Sequence, residues 1–141
     1  MKWLLWIFAV VVLVDLWVRI APSSVDKWHV AEIDATAPKR IGYFKDQVFE
    51  GAANVVLAQL DGIVLATPRT RVLAGSVDER QITYVTRSRL FGFPDYTTVW
   101  AQDLDEGSRI TFYGRLRFGY GDQGVNRHRI MGWVQALEAF Q

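Results

Sequence analysis

The sequence contains no cysteine, two histidines and four prolines among its 141 residues. Without cysteine, disulfide scaffolds, cysteine-ligated zinc, iron–sulfur clusters and thiol catalysis are excluded. His29 and His128 stand far apart and form no H-x-x-x-H pattern, so no metal site is assigned. Charge of one sign is also scarce: 16 Lys and Arg face 15 Asp and Glu, a net charge of +1. A chain built to coat nucleic acid is far more basic, and no nucleic-acid partner is expected. Repeats and low-complexity tracts are missing as well, while half the residues are hydrophobic. That combination gives one packed domain rather than a disordered chain. No G-x-S-x-G nucleophile elbow occurs, since Gly75-Ser76-Val77 has the wrong spacing, and catalytic residues remain unassigned.

What is abundant is apolar sequence at the start. Trp3 to Val14 is unbroken, Asp15 interrupts, and Leu16-Trp17-Val18-Arg19 closes the run. Taken to Ala21 it approaches the roughly 20 residues that span a bilayer core. Trp3, Trp6 and Trp17 lie toward its ends, where indoles favour the headgroup region. A cleaved signal peptide is the rival reading, but Ala21 follows Arg19 by only two positions and makes a poor exit. The expectation is an uncleaved single-pass anchor in the inner (cytoplasmic) membrane. The short N-terminal tail favours a domain on the periplasmic side.

Residues 1–21 are thus read as the anchor, 22–41 as an irregular linker and 42–141 as an α+β domain. Gly42 to Phe49 suits a first strand. Within 51–67, Ala53, Val56, Leu57, Leu60, Ile63 and Val64 recur at helical spacing, and Pro68 stops the helix. Turn signals at Asp78-Glu79-Arg80, Gly92-Phe93-Pro94-Asp95 and Asp105-Glu106-Gly107 then divide an antiparallel meander. Its strands are expected over 69–77, 81–91, 96–104 and 108–118. Residues 125–140 close the chain as a helix. The predicted architecture is β-α-β-β-β-β-α, an antiparallel sheet of about five strands with two helices on one face.

Alternation along strands puts Arg87 with Arg89 on one face, and Arg115 with Arg117 on another strand's equivalent face, opposite Ile110, Phe112, Leu116 and Phe118. Arg69 and Arg71 repeat the spacing. A row of guanidinium groups suits phosphate or carboxylate. The same row could instead be a solvated face of cross-strand pairs, with Asp95, Asp103 and Asp105 available as partners. Gly119 to Gly124 spells G-x-G-x-x-G, but the acidic strand of a dinucleotide fold does not follow it before Gln141. A tight turn is expected there, with Asp122 or Asn126 capping the last helix, and neither a nucleotide nor any other cofactor is expected. Beside Arg127 and Arg129, that helix start could also receive a simple anion. Asp95 and Asp122 are read first as turn and cap residues, and second as an acid/base pair.

The blocks Ala66-Thr67-Pro68-Arg69-Thr70-Arg71, Tyr84-Val85-Thr86-Arg87-Ser88-Arg89, Gly92-Phe93-Pro94-Asp95-Tyr96, Arg115-Leu116-Arg117-Phe118-Gly119 and Asp122-Gln123-Gly124-Val125-Asn126-Arg127 follow in order. Together they resemble the bacterial domain-of-unknown-function family 1499 across Asp26 to Leu137. Gly121 and Gln123 depart from the serine and leucine common in that family. The resemblance implies a fold and often a membrane setting, and no reaction.

Three functions are therefore expected as alternatives. The first is a non-enzymatic, membrane-anchored module binding an anionic lipid, saccharide or acidic protein through Arg69, Arg87, Arg89, Arg115, Arg117 and Arg127. The second is a small hydrolase or lyase pairing Asp95 or Asp122 with an arginine clamp. The third is a structural assembly subunit of an envelope complex, recruited through Phe91, Phe93 and Trp100.

Overall fold

A computed structural model describes residues 2–31, 42–119, 121 and 123–141. The apolar run is helix α1 (Lys2–Ile20), 19 residues in which only Val18 is buried. At 1.5 Å per residue it is about 28 Å long, near the thickness of a bilayer's hydrocarbon core. Length and composition would let it cross a membrane, and a signal sequence shares both properties. Asp15, the residue most at odds with a span, forms an ion pair with Arg19 one turn on, 2.7 Å away. The pair sits in the last turns of the helix, where a charge reaches the interface at lowest cost.

A four-residue helix, α2 (Val25–Trp28), follows inside the stretch expected to be irregular, of which 32–41 lies outside the described residues. Strand β1 (Gly42–Phe49) leads to helix α3 (Ala53–Leu65), then to β2 (Thr70–Ser76), β3 (Gln81–Arg87), β4 (Pro94–Asp103) and β5 (Ser108–Leu116), and the chain ends in helix α4 (Val125–Glu138). The sheet is antiparallel throughout, in the order β1-β5-β4-β3-β2. Four strands form the expected meander, and β1 completes the sheet beside β5.

Both α3 and α4 cover one face. Leu57, Leu60 and Val64 from α3, and Ile130, Val134 and Leu137 from α4, bury against Ile82, Tyr84, Val99, Ile110 and Phe112. The helices approach closely because β5 carries Gly114 beneath α4, where an added Cβ would lie 2.9 Å from the Cβ of Asn126. Boundaries depart from expectation in two places that matter. Strand β3 ends at Arg87 rather than Phe91, because the Ser88 amide and hydroxyl both bond to the backbone of Phe93 and close a loop. The cap position of α4 is Gly124 in the left-handed region (φ 81°); Asn126 lies buried within the first turn, and the capping expected of Asp122 lies outside the described residues.

The start of α3 is capped from across the sheet. Asp103 accepts a 2.8 Å bond from the Ala53 amide and pairs with Arg80. The amide first, and the guanidinium second, hold its carboxyl below the usual carboxylate range. A lowered folded pKa stabilises the fold above the unfolded value of about 3.9, and that contribution disappears as pH falls through the folded value. Asp103→Asn should therefore lower Tm at pH 7, with the gap to wild type closing toward pH 2. An equal gap at both pH values in thermal melts contradicts this role for the charge.

A candidate anion site at the end of the apolar helix

On the sheet face opposite α3 and α4, strand alternation places Thr83, Val85 and Arg87 of β3, Tyr96 and Thr98 of β4, and Tyr113 and Arg115 of β5. This face is not open. The segment from the end of α1 through α2 runs across it, and the Trp28 ring stacks on Tyr96 at 3.9 Å and 12°. Val85 and Leu73 complete a second, smaller apolar cluster. Around it, Ser23 Oγ bonds Tyr96 OH at 2.7 Å, His29 Nδ1 bonds Thr83 Oγ1 at 2.9 Å, and Gln81 Nε2 donates to the Val30 carbonyl at 2.6 Å.

Three arginines hold this segment by its backbone. Arg115 Nη2 donates to the Trp28 carbonyl at 2.7 Å and to Thr98 Oγ1. Its guanidinium lies 5.6 Å from the Trp28 ring centroid and 4.9 Å from that of Tyr113. Burial pushes its pKa down to about 10, so it keeps its charge at neutral pH. Arg117 Nη1 donates to the Pro22 carbonyl at 2.9 Å, and Arg87 Nη1 donates to the carbonyls of Gly92 at 2.9 Å and Val18 at 3.3 Å. The last of these is an orphan carbonyl in the final turn of α1, where a cation is favoured.

Beyond Arg87, where the ends of β2 and β3 meet α1, lies a cavity of about 430 Å³ lined by Arg19, Arg69, Arg71, Arg87 and Arg89, with Thr70, Val85, Ser88 and Gly92. Of these five arginines Arg19 is ion-paired, to Asp15 at 2.7 Å, and no Asp or Glu is among the described residues of the lining. Arg69 adopts the left-handed region (φ 61°), uncommon for a residue with a side chain. Its Nε bonds the Arg87 carbonyl at 3.0 Å, and its own carbonyl accepts from the Arg87 amide, which fixes both at the rim. Arg71 and Arg89 are exposed and make no hydrogen bond or ion pair among the described residues.

The six arginines expected to act together thus take three positions. Arg69, Arg87 and Arg89 share the cavity; Arg115 and Arg117 hold the crossing segment; Arg127 is exposed on α4, in the helix layer beyond the sheet. Arg89 belongs to the loop after β3 and not to the strand. Arg19 and Arg71 complete the cavity although neither is among the six. The i, i+2 spacing of Arg71 with Arg69 was a visible signal, and Arg19 is the cation that ends the apolar run. Pairing with acids, the alternative for this face, reaches the cavity at Arg19, which holds Asp15 at 2.7 Å, and otherwise occurs elsewhere: Asp103 with Arg80, Asp46 with Arg109 at 3.4 Å, and Asp95 with Arg129 at 3.2 Å. Asp95 also borders a separate cavity of about 170 Å³ on the helix side of β4, with no arginine among the described residues of its lining. Arg129 Nη1 bonds Asn126 Oδ1 at 2.9 Å, so the start of α4 is knitted to β4 through this pair.

Replacing Arg115 with Gln removes bonds from a charged donor and leaves the Trp28 carbonyl with only the longer bond from Thr98 Oγ1, 3.3 Å. The expected cost is about 1.5–3 kcal/mol in chemical denaturation, together with faster proteolysis within 22–31. A loss below about 0.5 kcal/mol, within the usual range for surface changes, would show that the guanidinium does not hold the segment.

The pattern described as "Protein of unknown function (DUF1499)" matches residues 20–137, which include β1 to β5, α3, most of α4 and the segment that crosses the sheet. Among curated proteins none matches the sequence. A crystal structure of a DUF4468 family protein from Bacteroides ovatus ATCC 8483 is similar at 10% identity, over 67% of this chain and 63% of that one, with a TM-score of 0.31. With the match running through nearly all of the folded region, the chain belongs to the DUF1499 family.

Proposed function

We propose that the protein is a non-enzymatic binding module, anchored through α1 in the cytoplasmic membrane with its domain on the periplasmic side, and that the arginine cavity receives an anionic group. The observation that carries this reading is the cavity itself. Five arginines line about 430 Å³ with no Asp or Glu among the described lining residues; Arg19 is paired with Asp15, and Arg71 and Arg89 have no protein partner among the described residues. The four that have no acidic partner among the described residues repel one another, and a phosphate or carboxylate relieves that repulsion with bidentate bonds. The enzymatic alternative receives less support, because Asp95 faces the helix side of the sheet while the arginine cavity opens on the other.

Arg71 and Arg89 are the residues to change, since Arg87 and Arg117 also hold backbone carbonyls. The full-length chain in neutral detergent, titrated with inorganic pyrophosphate at low and moderate salt, should bind it saturably. R71Q/R89Q should weaken binding at least tenfold, which is about 1.4 kcal/mol, with an unchanged Tm. Absence of saturable binding by the wild-type chain, or equal binding by the double variant, contradicts the proposal.

A further inference from the structure

The loop after β3 combines two properties that a water-facing loop rarely has together. Ser88 closes it through three bonds: its amide donates to the Phe93 carbonyl at 2.9 Å, its hydroxyl accepts from the Phe93 amide at 2.9 Å, and its carbonyl accepts from the Gly92 amide at 3.2 Å. At the tip of this tight loop stand Leu90, 71% exposed, and Phe91, 47% exposed. Turns directed at water favour Gly, Pro, Asn, Asp and Ser instead.

The loop is also fixed to the end of α1. Arg19 Nη2 donates to the Leu90 carbonyl at 2.6 Å, and the Arg19 Cγ lies so near Gly92 that an added Cβ would come within 2.8 Å. Ring contacts run back from the tip to the helix: Phe91 to Phe93 at 5.4 Å, Phe93 to Phe118 at 5.7 Å, and Phe118 to Trp17 at 6.2 Å. The apolar surface of α1 therefore continues onto the domain, at the level of the Trp17 and Arg19 that mark the helix's interfacial turn.

We propose that residues 88–93 form a second membrane contact, with Leu90 and Phe91 entering the interfacial region of the leaflet where α1 ends. The partner is the bilayer surface itself. Arg19 and Arg89 flank the tip as headgroup-facing cations, their stems lying along apolar surface. Arg89 and Gly92 are also walls of the arginine cavity, so the inserted loop sets that cavity at headgroup depth and makes a phospholipid phosphodiester its occupant. This inference rests on α1 being the anchor, and on the cavity reading only for that last consequence.

The absence of cysteine makes a direct test available. Single variants Leu90→Cys and Phe91→Cys of the full-length chain carry an environment-sensitive fluorophore in phosphatidylcholine–phosphatidylglycerol nanodiscs containing spin-labelled lipid. Val10→Cys in α1 and Val48→Cys, at the far end of β1, serve as the immersed and solvated references. Labels at 90 and 91 should be quenched several-fold more strongly than the label at 48. Quenching equal to that at 48, with the label at 10 quenched, overturns the second contact. If the label at 10 also escapes quenching, the anchor itself is refuted and this inference with it. Pyrophosphate binding in detergent reports on the cavity in either case.

Discussion

A helix ends with carbonyl groups that lack intrahelical donors, and a chain leaving that helix across a sheet face brings more of them. Here the donors are guanidinium groups. Arg87 reaches Val18, Arg117 reaches Pro22 and Arg115 reaches Trp28, so three carbonyls over one short stretch are each held from a strand or strand end. Arginine suits this task because its planar fork stays charged even when buried and serves two acceptors at once. Arg87 divides its Nη1 between Val18 and Gly92, and Arg115 divides its Nη2 between Trp28 and Thr98. With the backbone satisfied, Trp28 can lie flat on Tyr96, and the second apolar cluster follows.

That constraint also creates the candidate site. Because the crossing segment begins at the end of α1, the helix's last turn is brought to the ends of β2 and β3. Arg19 from the helix then meets Arg69, Arg71, Arg87 and Arg89 from the sheet. The acids are committed elsewhere, to Arg80, Arg109 and Arg129 and to the amide that begins α3. The cavity stays cationic because these counter-charges lie on the other face of the sheet or at the opposite strand ends, and Asp15 pairs with Arg19 alone. The same meeting point holds the Leu90-Phe91 loop, so an apolar tip and a cationic cavity share one end of the molecule.

The strands were legible because their turns carry strong local chemistry: Gly107 sits at φ 78° in the Asp105-Glu106-Gly107 turn, a conformation suited to glycine. Helix α3 was legible through its buried face, from Ala53 to Val64. Helix α2 was not, since four residues are too few for a period to show. Strand alternation put Arg115 on the face away from the core, which is correct. What alternation cannot reveal is that Trp28, 87 positions earlier, covers that face and buries the guanidinium. The end of β3 departs from its sequence pattern for a related reason: Leu90 and Phe91 continue a strand's apolar run, while Ser88 and Phe93 bond to each other and close a loop around them. Of the cavity, Arg69, Arg87 and Arg89 were visible as spaced arginines. Arg19 joins them only because the crossing segment returns the helix to the sheet.

Guanidinium–carbonyl bonds fix α1 and the segment after it to the sheet, in place of a free linker. Spin labels at Leu13→Cys in α1 and Val48→Cys on β1, in the full-length chain in nanodiscs, measure this directly as a distance distribution. One narrow peak is expected, broadening when Arg87 and Arg117 are both replaced by Gln. A broad distribution in the otherwise unaltered chain, unchanged by those substitutions, would contradict it.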